Sequence, residues 1–533
     1  ILLLEYKTYI RGMFMFNIIP QPNEIIIKSG RTGFFLTEET TITKVPLIID
    51  EFRDFVKKTF DIRLHREEKN ENCIILTYSD EIEDDEGYRI VCEDSVIEII
   101  AKTDCGIFYG LQTLKQMLLQ GFGKIPALEI NDKPMYKYRG FMIDSGRYCQ
   151  SVKEIKRFVN LMAMHKLNVF HWHLTEDQGW RVEIKKYPEL TKKGQKRSHT
   201  NFGFKSYEGF FTQEQIKDIV KYCHDRFIKV IPEFDIPGHT VSAIACYPYL
   251  SCFDRNLSVA THWGVKHDIL CAGKESTYKF VFDVLDELME LFPDKIIHIG
   301  GDEAVKMRWK LCPNCQALMK KEGISNEDVL QNYFMSRVNR YLNEKGYTSM
   351  MWNFESEAGT ELLDKNIYWN ACSLERNKKL VSDELKSGRT IVNSSAFPYY
   401  FDFPHGTNSL KKVYEYNPEI EGGHILGVEA SLWTEYVKTR NKADYNLFPR
   451  IAAFCETAWS QPEDKSYDRF LYSLGEYYDY LNIYHVRYAT LKQANPSRLR
   501  SDIERIVFGR RIFHWQGLHN LIDDAKVRKI AEK

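Results

Sequence analysis

The chain has 533 residues, enough for two or three domains. Its 44% apolar and 28% charged content is ordinary globular composition, and a net charge of -1 excludes the basic excess of a nucleic-acid binder. No apolar run approaches the roughly 20 residues that a membrane-spanning helix needs.

The opening "ILLLEYKTYIRGMFMF" has four apolar residues before Glu5, fewer than the roughly 7–15 of a signal-peptide core. The chain opens on Ile rather than Met. A secreted or periplasmic protein that has lost its signal and a cytoplasmic one both fit. Residues 1–14 read as an extension. Residues 15–132 mix short strand-like runs ("EIIIKSG", "NCIILTY", "SVIEIIA") with one helix, "DCGIFYGLQTLKQMLLQG", whose apolar spacing is helical and whose stop is Gly121. This predicts a small α+β domain. "EINDKPMYKYRG" reads as a linker.

From 133 to 470 the pattern becomes strand, helix, strand, helix. Strand cores are "GFMIDSG", "NVFHWHLTED", "KVIPEFD", "KIIHIGGDE", "TSMMWNFE", "NIYWNA", "RTIVNSS" and "HILGVEASLW". Helical stretches such as 152–165, 213–227, 278–292 and 326–345 separate most of them. Eight such units predict an α/β fold, a (β/α)8 TIM barrel. A doubly wound sheet is the rival, but "DSGRYCQ" supplies no Gly-rich phosphate loop after the first strand. Residues 471–533 read as a helical tail of mixed charge with no legible chemistry.

Every predicted strand carries polar or aromatic chemistry at or beyond its C-terminal end: Asp144 and Arg147; His171, His173, Glu176 and Asp177; Glu233, Asp235 and His239; Asp302 and Glu303; Trp352; Trp369; Tyr400 and Asp402; Glu429, Trp433 and Glu435. In a barrel these ends converge on one face. Acids, an Arg and several Trp without a phosphate cradle suit a sugar, whose apolar faces lie on indoles and whose hydroxyls bond carboxylates and guanidinium.

The motifs "DSGRY", "NVFHWHLTEDQGWR", "PEFDIPGHT", "HIGGDE" and "EASLWTEY" together resemble the family 20 glycoside hydrolases, the β-N-acetylhexosaminidases. The likeness covers about 134–460, and the α+β region resembles the small domain that often precedes that barrel. The resemblance implies an exo-acting enzyme removing terminal β-linked GlcNAc or GalNAc from a glycan, with no cofactor, no metal, no nucleic acid and no membrane partner; a homodimer is left open.

Adjacent acids on a regular strand point to opposite faces. They cannot flank one bond at the roughly 5–5.5 Å of retaining or the roughly 6.5–9.5 Å of inverting glycosidases. The family resolves this by substrate-assisted catalysis. By resemblance Glu303 is the general acid, Asp302 holds the N–H of the 2-acetamido group, and Tyr400 aims its carbonyl. Arg147 and Glu435 clamp ring hydroxyls; Trp352, Trp369 and Trp433 form aromatic walls; Asp402 sits near Asp302. His239 and Glu176 tune the acid, with Glu176 standing where the family often has Asp. A disaccharide-releasing lacto-N-biosidase-like enzyme, a sugar-binding dead barrel and a metal-dependent hydrolase are the rivals.

The 12 cysteines are too sparse for a disulfide scaffold. "CPNC" (Cys312, Cys315) is the one CxxC, and no second pair supplies the four ligands of a zinc site. Packing or a disulfide is the expectation there. His171 and His173 in "HWH" share one side of a strand and read as structural. Asn256 and Asn393 lie in glycosylation sequons.

Overall fold

The computed structural model describes residues 16–43, 48–67, 69–353, 360–513 and 516–531. The expected 1–14 extension lies outside them, as does the end of the "TSMMWNFE" run.

In the first part a seven-stranded sheet runs in the order Glu24–Ile27, Leu128–Asp132, Tyr88–Glu93, Val96–Ala101, Cys73–Tyr78, Thr41–Ile42, His65–Arg66. Helix Asp104–Gln120 packs on it, with helix Ile48–Phe60 alongside. The Thr103 hydroxyl caps the long helix by accepting from the amides of Cys105 (3.2 Å) and Gly106 (3.4 Å). The expected linker is shorter than read. Leu128–Asp132 pairs with two strands of this sheet and Tyr138 already begins the barrel, because an alternating apolar run finds partners on both sides.

Among the described residues eight parallel strands then close a barrel: β1 Tyr138–Asp144, β2 Val169–His173, β3 Lys229–Glu233, β4 Ile296–His298, β5 Thr348–Trp352, β6 Tyr368–Ala371, β7 Ile391–Asn393 and β8 Gly427–Leu432. β8 pairs with β1 to complete the ring. Amphipathic helices cover the outside. Those at Val152–Met164 and Gln213–His224 open with full capping boxes, from Ser151/Glu154 and Thr212/Gln215. Asn393 is fully buried and donates to the Pro418 carbonyl (2.7 Å), so its sequon is closed to a glycan.

The interior holds an apolar plug of Tyr138, Val169, Ile231, Met350 and Val392, and with it a buried ionic layer. His171 contacts Glu233 (3.1 Å) and Glu429 (3.0 Å), and His173 contacts Glu233 (2.5 Å). Asn370 donates to Glu429 (2.7 Å), and the Trp352 indole to Glu233 (2.7 Å). Burial opposes charge on His171, yet Glu429 and Glu233 push it up to about 10. Both histidines of "HWH" thus serve this layer.

The two parts are welded by buried polar groups. Arg139 in β1 grips Glu86 with two guanidinium nitrogens (2.8 and 3.0 Å), and Lys166 and the Trp459 indole both reach Asp132 (2.9 Å each). Removing one partner of such a pair strands a buried charge, at a cost of about 3–5 kcal/mol. The C-terminal helices are not a free tail. In helix Tyr467–Ile483, Arg469 bonds the Ile18 carbonyl (3.1 Å). Asp524 anchors helix Gln516–Ala531 to Arg308 (2.7 Å) and His267 (2.9 Å).

One expectation about the cysteines is corrected here. Cys252 and Cys271, far from each other and from "CPNC" in sequence, lie against Cys312 and Cys315. Spacing along the chain hid what two crossing loops bring together.

Candidate active site

β4 stops at His298. The chain then turns through Gly300 (φ 62°) and Gly301 (φ 106°). A Cβ on Gly300 would lie 1.7 Å from Asp235 Oδ1, so only glycine fits. The Gly301 amide donates to Asp235 Oδ1 (3.3 Å) and its carbonyl accepts from Gln331 (2.6 Å). Glu303 itself is left-handed at φ 48°, a conformation that costs a non-glycine residue about 1–3 kcal/mol. Asp302 and Glu303 therefore leave strand alternation, and both line one cavity of about 1030 Å³.

Arg147, His239, Tyr400, Asp402, Trp433 and Glu435 line the same cavity. They come from four segments at the top of the barrel. Arg147 follows β1. Tyr400 is held beside β8 by a bridge to Ser431. Trp433 and Glu435 follow β8. The Arg147 guanidinium lies over the Trp433 ring (5.1 Å) and pairs with Glu176 (2.5 Å), Asp144 (3.4 Å) and Glu435 (3.6 Å). Glu176 lies fully buried against Arg147 and His239.

Two of the three expected aromatic walls move. Trp352 is buried beneath the cavity, 5.8 Å from Trp433 between ring centres, with its indole nitrogen spent on Glu233. Trp369 is on the wrong face for a wall. Asn370 points inward to Glu429, so alternation sends Trp369 outward, in register with Met351 and under the Arg389 guanidinium (4.5 Å). Asn353 and Cys372 line the cavity instead.

The electrostatics centre on His239. Its Nδ1 lies 2.6 Å from Glu176 Oε1, and its Nε2 lies 3.5 Å from Glu303 Oε2. Burial disfavours its cation, but Glu176 and Asp235 hold its pKa well above the ordinary histidine value. Burial would raise Glu176 as well; Arg147 and His239 draw it down to about 2. For Asp302, burial and then the Glu303 and Glu233 charges outweigh His239 and push it up to about 6. For Glu303, burial pushes up, but the His239 hydrogen bond and charge, then Arg147, pull it below the usual glutamate value. The Glu303 side chain, 52% exposed, faces His239, and the His239 and Arg147 cations together outweigh burial.

Sequence reading missed the residues that aim these loops. Arg181, in the quoted "QGWR", donates to the carbonyls of Ser145 (3.0 Å), Gly146 (2.7 Å), Gln195 (2.7 Å) and Gly209 (2.7 Å), fixing the turn that carries Arg147. Arg450 does the same for the Tyr400–Asp402 loop through the carbonyls of Phe401 (2.6 Å), Phe403 (3.0 Å) and Asn408 (2.8 Å). Trp263 and Phe508 add aromatic walls, the second from the tail. No local signal marks a carbonyl-binding arginine.

The profile described as "Glycosyl hydrolase family 20, catalytic domain" matches residues 136–462, and "Glycosyl hydrolase family 20, domain 2" matches 15–133. The chain belongs to glycosyl hydrolase family 20. Among its family relatives, a β-hexosaminidase of Porphyromonas gingivalis is 36% identical over 88% of this chain, which spans 63% of that protein. A β-hexosaminidase of Akkermansia muciniphila is 31% identical, with 81% of this chain and 88% of that protein covered. Among solved structures, β-N-acetylhexosaminidase from Bacteroides fragilis superposes with a TM-score of 0.77 at 31% identity, covering 90% of this chain and 99% of that one. An exo β-N-acetylglucosaminidase from Vibrio harveyi, solved with N-acetylglucosamine, gives 0.80 at 26% identity, covering 89% and 78%. The chain carries the catalytic-domain profile of that family on the barrel fold of its relatives.

Proposed function

We propose that the chain is an exo-acting β-N-acetylhexosaminidase that hydrolyses terminal β-linked GlcNAc or GalNAc with retention, the substrate's own acetamido group acting as nucleophile. The observation that carries this is Asp302. Its Oδ1 is buried in the cavity with no protein donor, whereas buried acceptors are almost always bonded. An acetamide N–H supplies the missing donor.

The steps follow from the residues. Arg147 and Glu435 hold ring hydroxyls and close the cavity behind one sugar, which sets exo cleavage. Trp433 takes the apolar face of the ring. Tyr400 donates to the acetamido carbonyl and Asp302 accepts from its N–H. The carbonyl oxygen attacks the anomeric carbon as Glu303 gives its proton to the leaving oxygen, forming an oxazolinium. Positive charge there is met by Asp302. Glu303 then takes a proton from water, which opens the ring with net retention. Substrate arrival itself prepares the acid: covering the half-exposed Glu303 side chain strengthens the burial that already pushes its pKa up.

The test compares an aryl β-GlcNAc with the matching aryl β-glucoside. Cleavage of the first alone supports the acetamido nucleophile. Equal cleavage of both makes a protein carboxylate the nucleophile and overturns the mechanism.

A further inference from the structure

Away from the cavity, four buried thiols meet. Cys252 follows the short turn Pro248–Leu250, and Cys271 lies on the loop before helix Glu275–Leu291. Cys312 precedes helix Pro313–Glu322, and Cys315 stands in its first turn. The two loops are locked by a bridge between Ser251 and Leu270 and by the Cys271 amide on the Leu250 carbonyl (2.8 Å). Three of the four cysteines are fully buried and Cys252 is nearly so.

The sulfur geometry is that of one centre. Cys271 Sγ lies 3.7 Å from Cys312 and 3.6 Å from Cys315, and Cys252 lies 4.0 Å from Cys315. All four sulfurs fall within 4.8 Å of one another. A tetrahedron with metal–sulfur bonds of about 2.3 Å has edges of about 3.8 Å. A disulfide requires about 2.05 Å and pairs sulfurs two by two, whereas Cys271 sits equally near two partners.

The surrounding backbone is shaped to this arrangement. A Cβ on Gly273 would lie 2.2 Å from the Asn314 carbonyl carbon and 2.4 Å from the Cys315 amide nitrogen, so the Cys271 loop is pressed directly onto the CxxC. The Trp309 indole bonds the Leu270 carbonyl (2.9 Å). A helix N-terminus, here that of Pro313–Glu322, stabilises thiolate charge, and Lys274 reaches the Ser251 carbonyl next to Cys252 (2.7 Å).

We propose that Cys252, Cys271, Cys312 and Cys315 bind a zinc ion as a closed four-thiolate site. Four thiols and Zn²⁺ give the tetrathiolate complex and release four protons. With all four positions filled by protein, no water is activated, and the ion's role is structural. It ties the segment that leaves the Asp302–Glu303 turn to the loops that follow His239. The soft all-sulfur donor set selects zinc over calcium or magnesium. The site stands whether or not the hexosaminidase reading does, because its readout is bound metal.

The experiment measures metal in the purified full chain by plasma mass spectrometry, after dialysis without chelator. About one zinc per chain is expected, lost in Cys271→Ser and kept in Cys92→Ala. Since Cys271→Ser could unfold, two measurements use the unmutated protein. Titration with a mercurial in the presence of a zinc indicator should release zinc as the thiols react. Exchange into cobalt(II) should give the intense visible bands of tetrahedral thiolate ligation. Substoichiometric zinc in the unmutated chain, iron in its place, zinc retained by Cys271→Ser, or Cys252–Cys315 disulfides in the unreduced protein would each overturn the proposal.

Discussion

Nε2 of His239 lies 3.5 Å from Oε2 of Glu303, while the other face of the same imidazole is held by Glu176 at 2.6 Å. Glu303 and His239 therefore titrate as a pair, and losing one proton too many from the pair leaves no acid for the leaving group. The alkaline limb of kcat/KM should report that loss. Glu176 is the largest influence holding His239 protonated against burial. Glu176→Gln should let the His239 pKa fall, moving the alkaline limb to lower pH by about one unit or more. A pH profile on an aryl β-GlcNAc checks this; a limb that stays in place removes His239 from the acid's control.

Asp302 sets the other limb. Its pKa of about 6 is a raised carboxylate value, so the group is ionised above that pH and protonated below it. The ionised form is the stronger acceptor for the acetamide N–H, and it alone brings a full negative charge to the oxazolinium. kcat/KM should fall as the pH drops through about 6 in the unliganded enzyme. Asp302→Asn should lower kcat by about 10²–10³-fold and flatten that limb. An unchanged acid limb in the variant would assign it to another group, Asp235 being the nearest candidate, also held high by burial and by Asp302.

Glu303→Gln separates proton donation from the other roles. Loss of general-acid help costs about 10²–10⁴-fold where the leaving group is a sugar alcohol. It should cost far less for an aryl glycoside whose phenol leaves without a proton. Steady-state rates on chitobiose and on a nitrophenyl β-GlcNAc measure the contrast. Equal losses on both would argue that Glu303 binds rather than donates.

How much of this was legible in the sequence depended on whether a signal was local. The barrel was readable because each strand is an apolar run beside an amphipathic helix, and its polar ends advertised the open face. The Gly300-Gly301 break marked the turn that frees Asp302 and Glu303 from alternation. What stayed hidden was set by distant contacts. Cys252 and Cys271 are single cysteines joined by a two-residue bridge between their loops, and the close approach of Gly273 to Asn314 brings them to Cys312 and Cys315. Arg450 and Arg181 look like any helix or loop arginine until the carbonyls they gather are in place. The tail carried no motif, yet Phe508 reaches the cavity and Asp524 holds Arg308.

Trp369, assigned to a wall by resemblance, lies on the outer side of β6, and this gives a sharp pair of expectations. A one-residue slip in a strand exchanges inside for outside, and Asn370, bonded to Glu429, fixes which is which. Trp369 is fully buried on the outer face beneath Arg389, so Trp369→Ala should act on stability. Truncating a buried aromatic costs about 3–5 kcal/mol, enough to lower Tm visibly in a thermal melt. The folded fraction should keep its KM, because Trp369 is not among the residues that line the cavity. Trp433 lines the cavity against Arg147, and Trp433→Ala should do the reverse, costing roughly 10-fold or more in kcat/KM through lost stacking with a smaller change in Tm. If Trp369→Ala instead raised KM in a protein that melted normally, β6 would have to be rotated by one residue and the wall restored to Trp369.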